Sequence, residues 1–398
     1  AFDIGLPEGS VSGAGLGAIT VDLARGAAPR FSLTSDLNRL GLRLADLGWS
    51  KPKNATGRLA VAGTLGAPPA VESLEFSAPG LTAAGAVSIT PEGALGEARF
   101  GRVQLGGWLD APVVLTGRGK GRAPAVRLAG GTVDLRRRKS LGGSGGGGRG
   151  GDSAPIEVAL DRLIVTDGIR LAGVRGRLSQ TGGLNGSLTG QVVGGAPVRI
   201  TLAPQAKGTG IRVQSEDAGG VMRGAGIFEK SRGGAMDMVL TPLGQPGYYN
   251  GKLSIKNTRV RDAPALAELL SAISVVGLLE QMSGDGLVFS DVSAAFTLTP
   301  EALEIRRGSA IGPSLGISLA GIYRFDTNRL KMQGVISPIY MVNFIGSPLT
   351  RQREGLFGFN YRMRGDAKDP RVSVNPLSIL TPGMLREIFR GPAPRLNQ

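Results

Sequence analysis

The sequence predicts a mainly β protein: a long, curved, antiparallel β-sheet groove made of many short strands. One apolar helix is expected near residues 263–282 and a short amphipathic helix near 382–390. Three observations carry this reading. Apolar and polar residues alternate with period 2 over most of the chain, the pattern of strands with one apolar face. Gly, Pro and Asn interrupt the alternation about every ten residues, as turns between sequential strands do. Aromatic residues make up only 5 % of the 398 residues, too few to fill a compact sandwich, whose core leans on Trp, Phe and Tyr.

The alternating positions are mostly Leu, Val, Ile and Ala, with glycines among them. Glycine inside a strand permits strong bending, so the expected sheet is curved, with a concave apolar face that its own side chains do not fill. A solenoid, or a packed barrel with a poor core, would leave the same statistics. Little helical pattern separates the strands, which argues for antiparallel meanders, because parallel neighbours need crossovers of a dozen or more residues.

Taken in order, Phe2-Asp3-Ile4-Gly5-Leu6 already reads as a strand, and Leu59, Val61 and Gly63 share one side of the next clear alternation. Residues 1–140 form a first β segment. The basic run Arg136-Arg137-Arg138-Lys139 then leads into a glycine-rich stretch over 141–153, which is flexible coil by composition. It reads as an exposed insertion between strands and not necessarily as a domain boundary. The second β region, 154–398, supplies the candidate inward positions: Val158, Leu160, Leu188, Val198, Ile200, Leu202, Leu298, Leu303, Ile305, Ile317 and Leu319.

Within 263–282, Leu266, Leu269, Leu270, Ile273, Val276 and Leu279 (or Leu278) follow helical spacing. Asp262 is the expected N-cap, a Pro stands in the first turn, and Gly284 is placed to close the C-terminus. Only Glu268 and Glu280 carry charge there. So wide an apolar face needs cover from a sheet, a partner or a bilayer surface. Near the end, Thr381 and Pro382 open a short segment in which Met384, Leu385, Ile388 and Phe389 form an apolar side flanked by Arg386 and Arg390. That arrangement suits a layer of lipid head groups.

Composition narrows the chemistry. Cys and His are both absent, which removes thiolate nucleophiles, zinc–thiolate sites and the commonest general base. Gly143 to Gly148 formally matches a dinucleotide-binding loop, but a glycine run without a following helix lacks the context that motif needs. Asp285, Asp291, Glu301, Glu304, Asp366 and Asp369 read as solvated turn residues. No enzyme, cofactor or metal is expected. Lys and Arg number 46 against 31 Asp and Glu, a net charge of +15. Three readings of that excess compete: protection of sheet edges, attraction to anionic lipid, and nucleic-acid binding. Basic residues are scattered without interleaved aromatics, which disfavours nucleic acid. No apolar run is long enough to span a bilayer, and the first residue is Ala1. The expectation is therefore a C-terminal part of a longer chain, with any anchor upstream.

The last third carries a resemblance. Residues 251–260 lead into 263–271, 283–289 and 312–317, and the end reads Gly365-Asp366-Ala367-Lys368-Asp369-Pro370-Arg371-Val372-Ser373-Val374-Asn375-Pro376-Leu377-Ser378, followed by 382–386. This order resembles the AsmA-like C-terminal region of the YhdP/TamB-type envelope proteins of Gram-negative bacteria, over roughly residues 155–398. The first 140 residues share only its texture. The resemblance implies a taco-shaped groove with an apolar lining in a periplasmic protein held in the inner membrane by an upstream helix. The implied function is carriage of phospholipid between inner and outer membranes, with the C-terminal end towards the outer membrane and an envelope protein as a possible partner. The inward positions above would then be lipid contacts, and the 263–282 helix would either pack on the sheet, or insert at a membrane surface or gate the apolar groove. No catalytic residues come with the family. Two alternatives stand beside it: a TamB-like assembly factor for outer-membrane proteins that pairs client strands with its sheet edges, and a structural envelope β-protein.

Overall fold

The structure, a computed structural model, describes residues 9–66, 68–137, 154–227, 230–261, 263–273, 276–338, 358–367, 369–375, 394 and 395. The chain is mainly β and divides into two compact units, Ala1–Gly190 and Gln191–Gln398.

The first unit holds β1 (Val11–Gly13), β2 (Ala18–Asp22), β3 (Arg30–Ser35), β4 (Leu40–Leu44), β5 (Trp49–Lys51), β6 (Arg58–Thr64), β7 (Ala70–Ala78) and β8 (Leu81–Ile89). It continues with β9 (Leu95–Leu105), β10 (Leu109–Thr116), β11 (Ala125–Ala129), β12 (Thr132–Asp134), β13 (Ile156–Ile164) and β14 (Arg170–Ser179). The division between units falls inside β15 (Asn185–Val192). Strands β2, β3, β6, β7, β8, β9 and β10 pair in that order, each antiparallel to the next. β1, β4 and β5 form a separate three-stranded sheet.

One expectation is corrected here. β11 and β12 both pair antiparallel with β10, yet both run parallel to β13, so the sheet is mixed. The sequence between Asp134 and Ile156 is long enough for the return that parallel neighbours require. The glycine-rich residues 141–153 lie outside the described residues, and the strands on either side of them are neighbours.

The second unit contains β16 (Pro197–Gln205), β17 (Gly208–Ser215), α1 (Ala218–Gly224), β18 (Lys230–Arg232), β19 (Ala235–Pro242), β20 (Tyr249–Arg261), α2 (Pro264–Ala272) and α3 (Val276–Ser283). After them come β21 (Leu287–Leu298), β22 (Ala302–Ile311), β23 (Gly316–Arg324), β24 (Arg329–Ser337), β25 (Phe359–Asp366) and β26 (Pro370–Asn375). From β16 to β26 the neighbours are antiparallel, with β18 and β19 both laid along β20.

The apolar segment near 263–282 is two helices, not one. Ile273 leaves helical geometry at φ −104°, ψ 7°, in a β-branched stretch that gives weak support to a continuous helix. Ala263 takes the N-cap position without a side-chain bond, and Pro stands in the first turn, where its missing N–H costs nothing. Asp262, the expected cap, and the whole 382–390 segment, with Met384, Leu385, Arg386, Ile388, Phe389 and Arg390, lie outside the described residues.

Glycine has a specific task at two bulges in the first unit. The registers slip at Ala62/Gly63 and at Ala84/Gly85. A Cβ at Gly63 would stand 2.0 Å from the Ala70 carbonyl oxygen, and one at Gly85 2.0 Å from that of Arg99. Only glycine lets the backbones approach this closely, and such bulges bend the strand that carries them.

Candidate functional site

Register turns the alternation of each strand into a surface. In the first unit, the cross-strand partners Val21, Phe31, Gly63, Val71, Val87, Ala98, Leu115, Val126, Ile156 and Leu178 form one unbroken line over ten strands. A second line runs Ile19, Leu33, Val61, Leu74, Gly85, Phe100, Val113, Leu128, Val158 and Gly176. Neither line contains a polar side chain. On the reverse face, Arg99, Val114, Arg127, Glu157 and Arg177 are successive partners, and Arg102 binds Asp110 through two hydrogen bonds of 2.8 Å. A one-residue slip anywhere would exchange these faces.

Burial along the two lines is uneven. Val158, Val113 and Ala98 are buried, whereas Phe31, Leu33, Val61, Val71, Leu74, Val87, Phe100, Leu115, Val126, Leu128, Ile156 and Leu178 are only half-buried. At β2 the face opens further: Ile19 is 65 % and Val21 45 % exposed. A packed core encloses its aliphatic side chains on all sides, whereas these remain partly exposed. The three-stranded sheet bears on this face through Trp49, whose ring meets Phe76 edge-on with centroids 5.9 Å apart and whose indole N–H donates to the Pro79 carbonyl at 2.9 Å. Its neighbour Lys51 is buried, its ammonium donating to the carbonyls of Leu37 at 2.7 Å and Leu40 at 2.8 Å.

The second unit repeats the pattern. Leu202, Ile211, Leu240, Gly251, Phe296, Ile305, Gly321, Met332, Met363 and Val372 are successive partners across ten strands. Here helices cover part of the face. α1 lays Ala218, Val221 and Met222 on Met236, Ile255, Leu253 and Val292. Asp217 caps this helix by accepting the Gly220 N–H at 2.8 Å. α2 and α3 press Leu269, Leu270, Leu278 and Met282 against Leu287, Phe289, Ile336, Tyr361 and Met363, with Leu266, Ile273 and Leu279 partly buried around them. Leu270 is 0 % exposed. These two helices therefore pack on the sheet.

The inward positions expected from sequence separate accordingly. Val158, Leu160, Leu188 and Val198 are buried. Ile200, Leu202, Leu298, Leu303 and Ile305 are half-buried and belong to neither helix-centred cluster. Ile317 and Leu319 are also half-buried, but pack against the cluster built on α2 and α3. The side chain of Val276 is not among those described. Sequence reasoning passed over Trp49, Lys51 and α1. Asp217 was the available signal for α1, but a helix reading Ala-Gly-Gly-Val-Met-Arg-Gly has almost no propensity to advertise it.

The reverse faces carry ion pairs. Besides Arg102–Asp110, Arg212 Nη2 meets Asp237 Oδ2 at 2.7 Å and Arg136 Nη2 meets Asp134 Oδ2 at 2.6 Å. The Arg102 guanidinium, helped by Gln104, holds the Asp110 carboxyl down at about 2. Arg136 likewise lowers Asp134. Among the described residues no group of three or more acidic side chains is placed to hold a metal ion, and no helix is long and apolar enough to cross a membrane. No family model, curated protein or solved structure matches the chain.

Proposed function

We propose that the chain carries phospholipid between membranes, its apolar faces receiving the acyl chains, as part of a periplasmic bridge held at the inner membrane. The observation that supports this most is the pair of uninterrupted apolar lines over ten strands whose side chains are largely half-buried. An acyl chain in water costs about 0.8 kcal/mol per exposed CH₂, so lipid crosses an aqueous gap only along a continuous apolar surface. A row that is apolar strand after strand supplies that continuity, and its residual exposure leaves area for hydrocarbon to cover. In the second unit the rows beside Leu202, Leu298, Leu303 and Ile305 serve, since α1, α2 and α3 occupy the rest. The resemblance of residues 155–398 to the AsmA-like region points the same way.

Native mass spectrometry of the purified chain tests this: bound phospholipid is expected, and a photo-crosslinker at Leu128 should label it while one at Arg127 should not. A lipid-free chain that labels nothing at Leu128 overturns the reading. A strand-pairing role in outer-membrane protein assembly is favoured by β2, whose five residues are all exposed and whose pairing among the described residues is to β3 alone. Crosslinks from β2 to client strands would mark that role.

A further inference from the structure

A second surface, on the face away from the apolar rows, is built by β23 to β26. Register sets Lys331 opposite Arg364 and Arg364 opposite Arg371, so three cations stand in one row over three successive strands, about 5 Å apart at the backbone. Arg362 lies on the same side of β25, and Arg324 faces Arg329 two residues along the strands. The residues that alternate with them, Leu330, Met332, Met363 and Val372, belong to the cluster under α2 and α3, so the cations point to the other side. All six are exposed.

Like charges directly opposite each other destabilise a strand pair, and this face sets them opposite three times. Arg102, Arg136 and Arg212 each meet a carboxylate; these six cations form no ion pair among the described residues. Asp366 lies opposite Arg329 but accepts from Asn328 Nδ2 at 3.0 Å. Glu304 is at the far end of the row, separated from Lys331 by Ile322. Protection of a sheet edge accounts for a charge on β26, but not for Lys331 and Arg364, whose strands each have a neighbour on both sides. No aromatic side chain stands on this face of β23 to β26, so it offers no platform for stacked bases.

We propose that this face docks on an anionic lipid surface. A small anion would reach only part of a charge spread over four strands. A layer of head groups instead sets a phosphate against each cation, and its negative potential draws Lys and Arg without demanding a pocket. Neutralised on that surface, the three like-charge pairs no longer work against the sheet. The proposal rests on the membrane setting of the function proposed above, but not on lipid lying along the apolar rows.

The test is flotation of the whole chain with vesicles of mixed phosphatidylglycerol and phosphatidylcholine, beside vesicles of phosphatidylcholine alone. Binding to the anionic vesicles only is expected, and it should weaken as salt rises. Lys331→Gln, Arg364→Gln and Arg371→Gln should each lower it about fivefold, and together about a hundredfold. Arg364→Lys with Arg371→Lys should bind as the parent does, because a head-group layer reads charge and not the guanidinium fork. Arg25→Gln, Lys207→Gln and Lys252→Gln together remove the same charge from scattered exposed positions and should change binding little. The triple Gln variant of the row should melt at or above the parent, since it relieves repulsion across the ladder. Phospholipid per purified chain, read by native mass spectrometry, should not change in that variant, so docking and carriage succeed or fail separately. If the folded triple variant floats as the parent does, if the scattered variant loses binding equally, or if inorganic phosphate at constant ionic strength displaces the chain from the vesicles, the proposal is wrong.

Discussion

Leu128→Asp separates the fold from its proposed use. Leu128 stands in the apolar line between Val113 and Val158 and is half-buried. Fully burying a leucine is worth about 1.5–3 kcal/mol, so loss at a half-covered position costs the fold about 1 kcal/mol, and the unit should remain folded. The lane suffers more. A carboxylate facing hydrocarbon costs about 3 kcal/mol on insertion scales, which converts to roughly a hundredfold loss of lipid occupancy. Arg127→Asp is the matched control: Arg127 lies on the reverse face beside Glu157, its Nε 3.5 Å from that carboxylate in an exposed pair worth at most about 1 kcal/mol. Phospholipid per chain by native mass spectrometry, with a thermal melt by circular dichroism, reads both effects. A Leu128→Asp chain that melts near the parent and retains its lipid would refute the reasoning.

Other outcomes follow from the same geometry. Leu270→Ala removes a fully enclosed side chain from beneath α2 and should cost about 2–5 kcal/mol in urea unfolding. Gly85→Ala sets a Cβ against the Arg99 carbonyl oxygen at 2.0 Å and should cost about 1–3 kcal/mol by the same measurement. The Asp110 carboxyl has a folded pKa of about 2, below the unfolded value near 4. Its contribution is therefore complete above about pH 4 and fades as pH falls towards 2. Asp110→Asn should flatten that part of the acid unfolding curve, the more so at low salt, because the pair is exposed.

The strands were readable because their physics is local: period-2 alternation is written residue by residue, and Ile156, Val158 and Leu160 needed no partner to declare their side. Features that depend on pairing were not. Nothing in Ala125 to Asp134 marks β11 and β12 as parallel neighbours of β13. The packing of Leu269 and Leu270 on Ile336 and Tyr361 joins residues far apart in sequence. The apolar 263–282 segment announced a helix and a need for cover, but the interruption after Ala272 rests on a weak local preference. The facing of Lys230 with Arg261 and of Arg232 with Arg259 was invisible for the same reason, since it arises only through register. Trp49 and Lys51 gave no signal, because a three-residue strand is too short to show a period.

The parallel step from β11 and β12 to β13 has a kinetic consequence. Antiparallel neighbours joined by tight turns can zip together one after another, each closure adding a short loop. The step into β13 has no such turn, so the ends of a long excursion must find each other before any ladder bond rewards them. Strands β6 to β12 and β13 to β14 can thus assemble as separate zippers, and their joining, like the pairing of β3 with β6 across residues 36–57, is a slow event of the first unit.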